Sequence, residues 1–73
     1  MIKYPNLAAE QARNGHTNEY VAKYLNVSRP SYELKKNKGT FKIEECQKLC
    51  SLYNCKFEYL FNSNKKTKEY LVI

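Results

Sequence analysis

No run of apolar residues in this chain approaches the roughly 18–20 needed to cross a bilayer, which argues against a membrane span. Aspartate is absent, so all acidity rests on seven glutamates. Cysteine occurs three times, an odd number that cannot close a disulfide framework within one monomer. The opening Met-Ile-Lys-Tyr-Pro lacks the continuous apolar segment of a secretory signal, and with the odd cysteines this leads us to expect a reducing cytoplasm. Repeats and low-complexity tracts are missing too. With 73 residues the chain has little room for a two-domain enzyme or for a cofactor cradle on a parallel sheet.

What the chain does have is positive charge. Thirteen Lys and Arg give a net charge of +6 and a pI near 9.3, which favours phosphate-bearing or otherwise anionic partners. A hydrophobic fraction of 42% is enough for a compact core, so a disordered basic tail is excluded.

Short helices account for most of the pattern. Pro5 suits the first turn of a helix through Leu7, Ala8, Ala9, Gln11 and Ala12, with Gly15 as a left-handed stop. Thr17 reads as the N-cap of a second helix whose buried stripe is Val21, Ala22 and Leu25. Asn26-Val27 makes a brief break, and Asn tolerates the left-handed backbone of a tight turn. Ser28 then caps a third helix through Lys36, with Pro30 tolerated in its first turn. Asn37-Lys38-Gly39-Thr40 reads as a loop. A fourth helix follows, with positions 43, 46, 49, 50, 52 and 53 expected on one apolar face. After Asn54, residues 57–61 form an aromatic closing helix. A polar stretch leads into Tyr70-Leu71-Val72-Ile73, an apolar, β-branched end expected to pair with something.

The charge is concentrated. Residues 28–42 carry Arg29, Lys35, Lys36, Lys38 and Lys42 against Glu33, a net of +4, whereas residues 43–61 are net negative. A basic helix following a tight turn after another short helix is a DNA-docking arrangement. Set against this, small domains commonly carry a basic, solvated helix face.

The stretch from Thr17 through Asn18, Val21, Ala22, Leu25, Ser28 and Arg29 to Tyr32 resembles the helix-turn-helix of the lambda-repressor-like, Cro/XRE family. Residues 41–46 and 55–61 are similar to that family's fourth and fifth helices, so the resemblance spans roughly residues 4–61. Small phage or prophage repressors are the nearest type. The resemblance implies an all-α, compact five-helix domain over residues 1–61, followed by a basic linker and apolar segment at 62–73, where a short strand is one option. It also implies double-stranded operator DNA as partner, a homodimer, no catalysis, no cofactor, no small-molecule ligand and a place in the bacterial cytoplasm or nucleoid.

Position by position, the resemblance places Thr17, Asn18, Ser28, Arg29, Pro30, Ser31, Glu33, Leu34, Lys35, Lys38 and Lys42 at the DNA. Asn18 and Ser28 would touch phosphate, and Arg29 would read a base edge, most commonly guanine O6 and N7. Ser31 and Glu33 would lie near the groove floor, and Lys38 and Lys42 would hold the backbone without reading sequence. Lys35 and Lys36 stand where the family buries an apolar residue. Leu34 therefore either meets a thymine methyl or packs inward, the latter slightly favoured. Read from the residues, Tyr70, Leu71, Val72 and Ile73 either pair with a second copy to close a dimer or fold back onto the helical core, with Phe57 and Phe61 as the alternative dimer contact. The same scaffold could instead serve as a protein-interaction module or antirepressor with little specific DNA reading.

Cys46, Cys50 and Cys55 lack the paired spacing and fourth ligand of a zinc site, and His16 lies far from them in sequence. They read as small core thiols rather than as metal ligands or a catalytic Cys–His pair. Tyr20, Tyr24, Tyr32, Tyr53 and Tyr59 recur at helical positions and read as half-buried packing residues rather than base-stacking platforms.

Overall fold

A computed structural model describes residues 3–62. In order along the chain these form α1 (Pro5–Arg13), α2 (Asn18–Leu25), α3 (Arg29–Lys38), α4 (Ile43–Tyr53) and α5 (Phe57–Leu60), with no strand among the described residues. The basic linker and the Tyr70–Ile73 segment, with its strand option, lie outside the described residues.

The three middle helices start and stop for local chemical reasons. Thr17 Oγ1 accepts from the Tyr20 N–H at 3.0 Å, and Ser28 Oγ accepts from the Ser31 N–H at 3.2 Å, so α2 and α3 both begin on a side-chain cap. Pro30 sits in the first turn of α3, where an N–H would have no helical partner. At the start of α4, Glu45 reaches back to the Lys42 N–H at 2.9 Å. Lysine has no acceptor to return, so this is half of a capping box. Left-handed residues end three of the helices: Asn26 (φ 62°), Gly39 (φ 75°) and Asn54 (φ 54°).

Of the loop expected at residues 37–40, only Gly39 and Thr40 lie outside a helix. Asn37 and Lys38 continue α3, because the chain stops at its first left-handed glycine and not at its first polar run. The left-handed backbone favours glycine at position 39, and a side chain there would also push aside the ends of Tyr4 and Lys3. A Cβ there would lie 2.8 Å from Tyr4 Oη and 3.0 Å from Lys3 Cε.

The core is made by Leu7 from α1, Val21, Ala22 and Leu25 from α2, Tyr32 from α3, Leu49 and Tyr53 from α4, and Leu60 from α5. Full burial of the valine and leucines among these stabilises the fold by about 1.5–3 kcal/mol each. Tyr4, Phe41 and Phe61 close one end in an aromatic cluster, the Tyr4 and Phe61 rings meeting edge-on at 5.2 Å. Asn6 Nδ2 donates to the Tyr59 carbonyl at 2.8 Å, fastening α1 to α5.

Several expected packing positions differ. Ile43 does not join the buried face of α4 and is 71% exposed, because Glu45, Leu49 and Tyr53, spaced four apart, form the inward row. Tyr20, Tyr24 and Tyr59 are exposed, while Tyr32 and Tyr53 are buried, so the tyrosines split by helix face.

Gly39→Ala combines a left-handed backbone with a close approach and should destabilise the domain by about 2 kcal/mol, read as a lower urea midpoint. Asn26→Gly, at a left-handed position exposed to solvent, should leave the midpoint nearly unchanged.

Candidate nucleic-acid interface

α2 and α3 are joined by Asn26, Val27 and Ser28 alone. The Asn26 N–H donates to the Lys23 carbonyl at 3.0 Å and the Val27 N–H to the Ala22 carbonyl at 2.9 Å. These bonds satisfy the last carbonyls of α2 while the left-handed Asn26 redirects the chain. Val27 then packs against the core and Ser28 opens α3. The N-terminal half of α3 presents Arg29, Pro30 and Leu34 outward, with Ser31 and Glu33 half-exposed.

Behind that face runs a continuous polar network with Gln11 of α1 at its centre. Gln11 is buried, and all four of its side-chain hydrogen-bonding positions are engaged. Its Oε1 accepts from the Tyr32 hydroxyl at 2.8 Å and from Lys36 Nζ at 3.2 Å. Its Nε2 donates to the His16 carbonyl at 3.1 Å and to Asn18 Oδ1 at 2.9 Å. Lys36 Nζ also donates to Asn18 Oδ1 at 3.0 Å, and Asn18 Nδ2 donates to Glu33 Oε2 at 3.1 Å. Arg29 Nε completes the chain by donating to the same Glu33 oxygen at 2.9 Å. Reversing either amide would turn its NH2 toward the Lys36 ammonium, so both orientations are determined.

This network decides where the charges of residues 28–42 go. Lys36 is drawn inward over the Tyr32 ring, its ammonium 5.3 Å from the centroid, and burial pushes its pKa down while the nearby Glu33 charge opposes that shift. Lys35 pairs with Glu45 at 3.2 Å and its side chain is only 15% exposed, so it ties α3 to α4 instead of reaching outward. Arg29 is 63% exposed but paired with Glu33. Among the described residues, Lys38 and Lys42 are then the exposed cations of this stretch without an ion pair. The segment's net +4 does not become a uniformly basic face.

Hydrogen bonds therefore join Asn18, Glu33 and Arg29, Thr17 and Ser28 cap the helices that carry them, and Lys35 is withdrawn to Glu45. Thr17 and Ser28 use an oxygen lone pair as a cap, which leaves each hydroxyl proton to donate elsewhere. Leu34 does not pack inward. It is 54% exposed, because Tyr32, Lys35 and Lys36 take the inward side of α3. Of the expected dimer contacts, Phe57 is exposed, while Phe61 is half-buried against Tyr4 and Phe41. Sequence reasoning missed Gln11, Lys36 and Glu45 as organising residues. The visible signal is Lys36, which stands in a stretch of α3 where the resemblance places a buried apolar residue.

The histidine ring and the cysteine thiols lie apart from this network. His16 Nδ1 lies 3.0 Å from the Tyr53 hydroxyl, and its ring stacks on Tyr20 at 4.3 Å. Burial pushes the Tyr53 hydroxyl up to about 12, which keeps it protonated. Burial also raises the Cys46 and Cys50 thiols, the reverse of what a nucleophile needs. No cluster of metal-ligating side chains occurs among the described residues, and none of their helices is long and apolar enough to cross a membrane. Compared with known proteins, the chain matches no protein-family model, no curated protein and no solved structure.

Gln11→Leu strands the buried Tyr32 hydroxyl and deprives Lys36 of an acceptor, and should cost about 2–4 kcal/mol in urea unfolding. Tyr32→Phe should cost about 1 kcal/mol, since Lys36 still satisfies Gln11. The double variant should cost less than the sum, because the stranded hydroxyl is gone.

Acid should act through two surface carboxylates. Glu33 is held below its ordinary value by its hydrogen bonds from Arg29 and then Asn18, and Glu10 by those from Arg13 and then Tyr59. A carboxyl with a lowered folded pKa adds stability above its unfolded value and loses it as pH falls through the folded one. Thermal midpoints should therefore stay level from neutral pH down to about 5 and fall below the ordinary 4.5. Replacing Glu10 and Glu33 with Gln should flatten that acid slope.

Proposed function

We propose that this chain is a sequence-specific double-stranded DNA-binding regulator of the lambda-repressor-like, Cro/XRE type, inserting α3 into the major groove and acting as a homodimer. The observation that carries the reading is the α2–α3 unit. Two side-chain-capped helices meet across a three-residue left-handed turn, and the core grips α3 through Tyr32, Lys35 and Lys36, leaving Arg29, Ser31 and Leu34 at the surface. Arg29 supplies a donor for a guanine edge, Leu34 an apolar contact for a thymine methyl, and the Thr17 and Ser28 hydroxyls phosphate contacts at the helix ends. Lys38 and Lys42 follow on as backbone clamps. One such helix reads few base pairs, so specificity comes from two half-sites about 34 Å apart.

A second reading is favoured by two observations on the same face. Arg29 is charge-paired and Leu34 is exposed, so α3 presents a surface less cationic than its composition. Such a surface suits a protein-interaction module or antirepressor that binds another regulator.

Selection from a random duplex pool separates the two. The DNA-reading function should enrich a half-site or palindromic motif, with affinity falling by roughly 0.9 log units per phosphate contact for each log unit of salt. Lys38→Ala should weaken all sequences evenly and lower that slope by about one, while Arg29→Ala should relax preference at one position. An unenriched pool, with another regulator copurifying, would favour the interaction module.

A further inference from the structure

We infer that Glu33 is a positioning residue that aims Arg29 at a guanine edge, an inference that rests on the DNA-reading function proposed above. Glu33 touches Arg29 only through Nε, at 2.9 Å, and among the described residues neither terminal nitrogen of the guanidinium has a hydrogen-bond partner. With Nε occupied, the two terminal nitrogens still present parallel N–H groups, the fork that matches guanine O6 and N7 end-on. The brace is itself braced. The same carboxylate oxygen accepts from Asn18 Nδ2 at 3.1 Å, and Asn18 is fixed by Gln11 at 2.9 Å and Lys36 at 3.0 Å. The guanidinium is thereby connected, bond by bond, to the buried Tyr32 hydroxyl. An arginine held in this way loses less rotamer freedom on binding than a free one, and it cannot swing to a neighbouring base without breaking the Glu33 contact. The carboxylate also repels phosphate, so its presence lowers affinity for DNA in general while sharpening preference for one base.

The test uses the motif enriched by the wild-type chain. Competition titrations compare the matched duplex with duplexes in which each guanine is replaced, for wild type, Arg29→Ala, Glu33→Ala and Glu33→Gln. Thermal melts confirm that each variant is folded. Arg29→Ala should abolish a preference of about tenfold to a hundredfold at one guanine. Glu33→Ala should lose most of that preference while binding unmatched DNA as well as wild type or better. Glu33→Gln, whose amide oxygen can still accept from Arg29 and Asn18, should keep most of it. Full preference in Glu33→Ala would overturn the inference. So would tighter and more selective binding by both Glu33 variants, since the carboxylate would then be masking Arg29. A guanine preference that survives Arg29→Ala overturns this inference alone, whereas a wild-type pool without an enriched motif overturns the DNA-reading function and the inference with it.

Discussion

The placement of the third helix depends on the side-chain amide of Gln11. An amide offers two acceptor positions and two donors, and here α3 takes both acceptor positions through Tyr32 and Lys36, while the donors go to the His16 carbonyl and to Asn18 at the start of α2. One residue of α1 therefore sets the two later helices against each other. An apolar residue in this slot would add area to the core but leave a fully buried hydroxyl without a partner and a half-buried ammonium with one acceptor fewer, each a destabilising loss. The described residues contain no buried side-chain polar atom without a partner, so the network is complete. Complete buried networks specify one arrangement of their elements where apolar contacts alone would tolerate several.

The same constraint redistributes charge. Composition places a large cationic surplus on and after the third helix, but a cation acts on a partner only if it faces solvent unpaired. Lys36 is held by two neutral amide oxygens and by the face of Tyr32, and Lys35 is paired at the α3–α4 junction. Both have long alkyl stems that pack as apolar groups would, which explains how lysines fill slots where apolar residues were expected. The surplus thus divides between holding the helix and facing outward. A sum over sequence positions cannot separate these roles, because they depend on which face of the helix each residue occupies.

That distinction marks the boundary of what the residues disclose on their own. The helices were legible because their signals are local: Thr17 and Ser28 as caps, Asn26 and Asn54 as left-handed stops, and Leu7, Val21, Leu25 and Leu49 at helical spacing. The end of α3 was misread because polar composition was weighed above Gly39, which stops the helix by backbone geometry. Hydrophobicity points Ile43 inward, and the resemblance leaves Leu34 either inward or in the groove, yet facing is a property of the whole helix and not of one residue. In α3 a buried tyrosine and a tethered lysine, four apart, set that facing; in α4 a buried glutamate begins the inward row. The Arg29–Glu33 pair is legible as an i, i+4 spacing, but its link through Asn18 to Gln11 is not. Three residues from three helices meet there only after folding.

The face that remains is small, and its composition bears on how it could work. On the proposed reading, few free lysines are available to supply affinity, so weight shifts to groups that the fold holds still. The Thr17 and Ser28 hydroxyls are fixed by capping bonds, and Arg29 is fixed by a carboxylate that is itself fixed. Rigid donors lose little conformational freedom on binding and discriminate by geometry, while mobile lysines attract any phosphate. A surface built this way favours choice of sequence over strength of attachment. A monomer so built binds weakly, and a second copy adds a second half-site without requiring further charge on either copy. The internal pairing of the cations and the dimeric mode of action therefore belong to one reading, in which affinity comes from two linked faces and selectivity from the rigidity of each.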